Sequence, residues 1–203
     1  MEEKQETEEL IFEAARRVFQ RDGYYGARMQ DIADEADINK SMLHYYFRSK
    51  DQLFQNVYQK EMGKFLPVIM ELLNSEQPLD QKVENIIDAY YGHWNSNPKL
   101  IPFIIVEMNL NPERFRDFIK GKKPDFPTRF DEQVKEAVKK GEIMPIEPEQ
   151  LLVSIVGSTI FPFIGKTMVS TLFDFDEDSY QQFMADRKEQ LPTFILNAIN
   201  YKQ

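Results

Sequence analysis

The 203-residue chain contains no cysteine. Disulfide bridges, thiol catalysis and thiolate metal sites are therefore excluded. There are only two histidines, His44 and His93, and neither sits in a spacing that suggests a metal centre. Glu84, Asp88 and His93 share one predicted helix, but carboxylates at such spacings are equally ordinary on a solvated face. The eight glycines are scattered, so no phosphate-cradling loop or dinucleotide fingerprint exists. No Ser-His-Asp order and no pair of catalytic carboxylates stands out, so the expectation is a protein that is not an enzyme and uses no cofactor or metal. No segment approaches the roughly 18 uninterrupted apolar residues that span a bilayer. The opening MEEKQETEE is acidic, unlike the basic start of a secretory leader. A cytoplasmic protein without membrane contact is expected. Alternation with period 2 is nearly absent, which leaves little room for strands.

What is present is helical. Hydrophobic residues make up 42% of the chain, enough for a substantial core at this length. The net charge is −9, whereas a nucleic-acid binder usually carries a basic surface. Local charge softens that objection. Between Leu10 and Asn56 seven basic residues (Arg16, Arg17, Arg21, Arg28, Lys40, Arg48 and Lys50) meet seven acidic ones (Glu13, Asp22, Asp31, Asp34, Glu35, Asp37 and Asp51). A neutral stretch of this kind on an acidic body can bind DNA with modest non-specific affinity, since few phosphates are neutralised.

Leu10, Ile11, Ala14, Ala15, Val18 and Phe19 recur at helical spacing after a cap at Thr7, and Gly23 ends this first helix. A short helix follows over Met29 to Ala36. A turn at Asp37-Ile38 and a cap at Asn39 lead into a second short helix, Lys40 to Tyr46. Ser49-Lys50-Asp51-Gln52 fits a capping box that opens a longer helix, which Pro67 is expected to kink or end. Further helices are predicted over Leu79–Trp94, Leu100–Asn109, Thr128–Lys140 (stopped by Gly141), Leu151–Leu172 with Pro162 inside, and Ser179–Tyr201. The fold expected is all-α, with a three-helix N-terminal domain over residues 1–56 and a helical bundle over 57–203.

Residues Ile32 to Phe47 have the requirements of a helix-turn-helix unit. Ala33 is small where the two helices approach, and Ile32, Ala36, Ile38 and Leu43 are apolar at the locking positions. The turn position holds Asp37, among the residues most tolerant of a positive φ after glycine. Phe47 is expected in the core. Lys40, Ser41, Met42, His44 and Tyr45 would then face outward as groove readers. Lys40 can donate to guanine O6 or N7, and Met42 can touch a thymine methyl. The same five side chains would also suit an ordinary exposed helix.

The segment FQRDGYYGARMQDIADEADINKSMLHYYFRSKDQLF resembles the N-terminal domain of TetR-like (tetracycline-repressor-like) transcriptional regulators. The resemblance rests on Ile32-Ala33, Ala36, Leu43, Tyr46-Phe47, Ser49-Lys50 and Leu53, and covers about the first quarter of the chain. It implies a homodimer that binds palindromic operator DNA, acts as a repressor and responds to a small effector. It makes Lys50 a phosphate contact and leaves Tyr46 either touching a phosphate or packing. The sequence departs from the family where a Thr or Ser usually opens the second helix. Ala27 and Arg28 stand there, and Arg28 could supply a charged phosphate contact. Asp37, Met42 and His44 are also unusual, which points to an operator unlike that of relatives. The dimer face is expected on 151–172 and 179–201. An apolar pocket for a hydrophobic or aromatic effector would draw on Tyr90, Trp94, Phe103, Met108, Phe130 and Phe161, each of which would also be at home in plain core. The alternative is a helical ligand-binding or interaction protein that uses the helix-turn-helix only for packing.

Overall fold

The computed structural model describes residues 2–95, 100–113, 116–117 and 127–200. Among the described residues every regular element is a helix, so the all-α expectation holds. The first four are α1 (Glu2–Gly26), α2 (Met29–Glu35), α3 (Lys40–Tyr46) and α4 (Lys50–Asn74). There follow α5 (Leu79–Asn95), α6 (Leu100–Leu110), α7 (Thr128–Lys140), α8 (Pro148–Ile164), α9 (Lys166–Phe173) and α10 (Glu177–Ile199). The chain divides into two compact units, Met1–Phe65 with Pro102–Lys122, and Leu66–Ile101 with Lys123–Gln203. Among the described residues no single helix is long and apolar enough to cross a membrane.

In the first unit, α1 begins ahead of the expected Thr7 cap. Ile11, Ala14, Ala15, Val18 and Phe19 are fully buried. Leu10, expected beside them, is 49% exposed, and Phe12 takes its place in the core at 5%. The stripe is centred on Ile11, Ala15 and Val18, and one residue is a turn of about 100° around a helix. That step carries Leu10 out to solvent. Phe12 is covered by Lys60, whose ammonium lies 3.8 Å from the ring centroid and is bonded to both Glu9 carboxylate oxygens at 2.6 Å. Gly23 does not end α1 but kinks it, with φ 69° and ψ 178°, a conformation open in practice only to glycine.

Pro67 was expected to kink or end α4, yet the helix runs on to Asn74. The loss of one N–H donor is tolerated because the apolar stripe keeps its register across the proline, with Phe65, Ile69 and Leu73 all buried. At the far end of α4, in the second unit, Lys82 is wholly buried and donates to the Leu73 carbonyl at 2.7 Å. One of the carbonyls that the helix end leaves unpaired is satisfied in this way. Burial, and next the nearby Arg129 guanidinium, push the Lys82 ammonium below its ordinary pKa.

The second unit is built on α5, which packs against α10 and α8, while α7 packs on α8. Val83, Ile86, Ile87, Tyr91, Val134 and Ile155 are among its buried residues. Gly141 stops α7 as expected, in the left-handed conformation at φ 69°. The helix expected over Leu151–Leu172 is instead two, α8 and α9, bent by 74°. The break falls at Gly165, whereas Pro162 stays inside α8. Packing from α10 explains why. Pro162 has no N–H for the Ser158 carbonyl one turn earlier, and Arg187 on α10 supplies the donor, Nη2 to Ser158 O at 2.8 Å. The carbonyl of Pro162 itself, in the last turn of α8, accepts the Tyr180 hydroxyl at 2.6 Å. Two side chains of α10 thus hold α8 helical through its proline. At Gly165 a Cβ would come within 3.1 Å of the Phe161 carbonyl, so glycine lets the bend close. Arg187→Met keeps the packing of the stem and removes the donor. It is expected to destabilise the protein by about 1.5–3 kcal/mol, the range for a charge-assisted hydrogen bond. Urea unfolding checks this, and an unchanged midpoint would count against the bond.

Candidate nucleic-acid interface

The segment from α2 through α3 forms the expected helix-turn-helix. Arg28 precedes α2 in an extended conformation, φ −118°. Its backbone N–H donates to Asp31 Oδ2 at 3.2 Å, while its side chain is exposed. Ile32, Ala33, Ala36 and Leu43 are all buried, so the small and apolar positions lock α2 and α3 together. Ile38, expected to join the lock, is only half-buried. Asp37 adopts the predicted left-handed conformation at φ 52°. In that turn the Asp37 N–H reaches Asp34 O at 3.1 Å, and the Ile38 N–H reaches Ala33 O at 3.0 Å. Asn39 caps α3 as predicted, Oδ1 accepting the Met42 N–H at 2.8 Å.

Because Leu43 points into the lock, its neighbours on α3 face away from it. Lys40, Ser41, Met42, His44 and Tyr45 are all exposed, Met42 at 36% and Tyr45 at 74%. The structure therefore brings the five expected groove readers together on the open side of one two-turn helix. Tyr46 is half-buried and meets the Tyr45 ring edge-on at 5.3 Å. Phe47 is core, as expected, at 3% exposure.

The start of α4 follows the predicted capping box with a shift of one residue. The Gln52 N–H donates to Ser49 Oγ at 3.1 Å. Gln52 Oε1 accepts from the Arg48 N–H at 3.3 Å, one position before the cap. Lys50 is half-buried, and its Nζ donates to the carbonyls of Tyr24 at 2.8 Å and Ala27 at 3.1 Å. The ammonium also lies 4.5 Å from the centroid of the Tyr24 ring. Tyr24 is a further residue of this site that the motif does not mark. Its ring meets Phe54 edge-on at 4.9 Å, and its hydroxyl is 3.4 Å from Asp51 Oδ1. The aromatic pair next to Gly23 was the available signal.

Four of the residues expected around an effector have described side chains. Phe130 is buried and lines an apolar cleft of about 320 Å³ in the second unit, with Met70, Leu73, Pro127, Leu152 and Val153. Tyr90 is 7% exposed, and burial pushes its hydroxyl up to about 12. Phe161 is 46% exposed. Met108 is half-buried in the first unit. The side chains of Trp94 and Phe103 lie outside the described residues.

Residues 11–57 match the family described as bacterial regulatory proteins, tetR family. The chain is similar to the HTH-type transcriptional repressor NicS of Pseudomonas putida, with 31% identity over 50% of this chain and 48% of the repressor. The chain thus spans about half the length of that curated relative. It is also similar to the HTH-type transcriptional regulator UidR of Escherichia coli, with 27% identity over 70% of this chain and 72% of that protein. Two solved structures share the fold. The fatty acid degradation regulator FadR from Bacillus halodurans superposes with a TM-score of 0.65 at 18% identity, covering 96% of this chain and 97% of that one. A transcriptional regulator from Streptomyces coelicolor, SCO4942, gives 0.67 at 22% identity, covering 95% and 98%. Residues 11–57, which include the buried Ala33–Leu43 lock, thus match the tetR family of bacterial regulatory proteins.

Proposed function

We propose that this protein is a transcriptional repressor that binds palindromic operator DNA as a homodimer and is released by a small apolar or aromatic effector. The observation that carries the reading is the open side of α3, where Lys40, Ser41, Met42, His44 and Tyr45 are exposed together on a helix locked from behind by Leu43. A two-turn helix of this kind fits the major groove, and its outward side chains meet base edges. Residues 1–56 form the reading head and 57–203 the effector and dimer domain. Lys40 and Met42 read bases, with Ser41, His44 and Tyr45 beside them, while Arg28 and Tyr46 lie against phosphates. A cytoplasmic location suits such a role.

One head buries too little DNA surface for tight specificity, so the reader works as a two-fold pair. The surfaces that support pairing are those of α8 to α10. Val153, Phe161, Ile164, Met168, Leu172 and Phe194 are exposed there at 44–70%, large apolar side chains that a second copy would cover. The cleft beside Phe130 suits an apolar effector. Such an effector acts only by favouring the conformation that does not bind DNA, since equal affinity for both shifts nothing.

The test is selection from a randomised DNA duplex pool, followed by binding of the selected duplex. Lys40→Ala and Met42→Ala are expected to change which sequence is selected, each read base pair contributing about 1–3 kcal/mol of discrimination. The absence of any enriched sequence with the unmodified protein would refute the reading.

A further inference from the structure

Lys50 occupies an unfavourable place for a cation. It is the first residue of α4, where the helix dipole repels positive charge. The two carbonyls that hold it resolve the conflict. Tyr24 O belongs to the short turn of α1 that follows the kink at Gly23. Ala27 O lies just before α2, next to Arg28. Ala27 and Lys50 are 23 residues apart in sequence, and everything between them is the helix-turn-helix unit and its exit. The ammonium therefore closes the base of that unit, joining the point where the chain enters α2 to the point where it leaves α3 for α4. Tyr24 reinforces the closure through its ring under the ammonium, its edge against Phe54 and its hydroxyl at Asp51. Two of the three ammonium N–H groups are spent on carbonyls, so the cation is held chiefly by the protein itself.

We propose that Lys50 is a positioning residue for α3: by bonding the Tyr24 and Ala27 carbonyls it closes the base of the helix-turn-helix and sets the pitch at which α3 meets base edges. This rests on the reading of α3 as the groove reader. A residue that acts only on phosphate weakens all sequences alike and lowers the salt slope by about one when removed. A residue that sets the pitch of α3 instead lowers binding to the selected sequence and leaves random duplex and the salt slope almost untouched.

The experiment compares the full chain with Lys50→Met and Lys50→Arg on the duplex selected from a randomised pool and on a scrambled duplex, each across a salt titration. Lys50→Met is expected to lose about tenfold or more on the selected duplex, the scale of one lost charge-assisted bond, with little change on the scrambled one. Lys50→Arg, whose fork can reach both carbonyls, is expected to recover most of the loss. Equal losses on both duplexes with a shallower salt slope would overturn the proposal in favour of a phosphate contact. Hydrogen exchange on the free protein gives an arm that does not depend on DNA. Amides of α2 and α3 should exchange faster in Lys50→Met, and unchanged exchange in a folded variant also overturns the proposal. Failure of the unmodified protein to select any sequence would remove the groove-reader reading, while the exchange result would still decide whether Lys50 closes the unit.

Discussion

Phe54→Ala is expected to cost about 3–5 kcal/mol, the usual range for deleting a buried aromatic ring, and so to melt the N-terminal unit. Phe54 is fully buried and stands at the centre of an aromatic cluster. Phe19 on α1 meets it edge-on at 5.0 Å, Tyr24 does so at 4.9 Å, and Tyr58 stacks at 6.5 Å. Removing the ring leaves a cavity between α1 and α4 that its three stiff aromatic neighbours cannot fill. Denaturant unfolding followed by circular dichroism, with hydrogen exchange to localise the loss, measures the effect. Phe54→Leu is the control, since it refills most of the volume and should cost clearly less. A loss below about 1 kcal/mol for the alanine variant would mean that the cluster relaxes and that other contacts hold the unit.

Phe194→Glu is expected to turn a dimer into a monomer and to weaken binding to a palindromic duplex by about 10²–10⁴-fold, the gain normally made by linking two heads. Phe194 is 69% exposed on α10. It belongs to a stripe with Phe183, Arg187, Gln190 and Leu191 that lines a shallow groove of about 310 Å³. Glutamate at an exposed site should leave the chain folded, whereas in a buried apolar interface its charge would have no partner. Sedimentation equilibrium reads the assembly and a gel shift reads the DNA. A variant that stays dimeric and binds normally would show that the pairing surface lies elsewhere. Monomeric behaviour of the unmodified protein at micromolar concentration would have the same meaning.

Much of the reading head was legible because its signals are local. Asn39 and Ser49 cap the helices that follow them, since a short polar side chain at that position always has the next N–H groups within reach. Asp37 takes a positive φ because the turn demands it and aspartate tolerates it. The alternation of Leu43 inward and Lys40, Ser41, Met42, His44 and Tyr45 outward follows from helical period alone. The failures have non-local causes. Pro67 reads as a kink or an end, because the sequence shows the missing donor but not the packing across it. At Pro162 the replacement donor to the Ser158 carbonyl comes from Arg187, 29 residues along the chain from Ser158. The resemblance makes Lys50 a phosphate contact, while its bonds to the Tyr24 and Ala27 carbonyls leave no trace in the residue types they join.

By itself the sequence determined the helical class, the position of nearly every helix, the lock between α2 and α3, and the side chains that α3 presents. These depend on period, capping and turn chemistry, which act over a few residues. Only the tertiary structure decided where a long apolar helix bends, which lysines serve as struts rather than surface charges, and that Phe130 faces a cleft while Phe161 lies on the surface. Those outcomes depend on donors, rings and volumes brought together from distant parts of the chain. Such meetings follow from the packing of whole helices, and no local pattern encodes them.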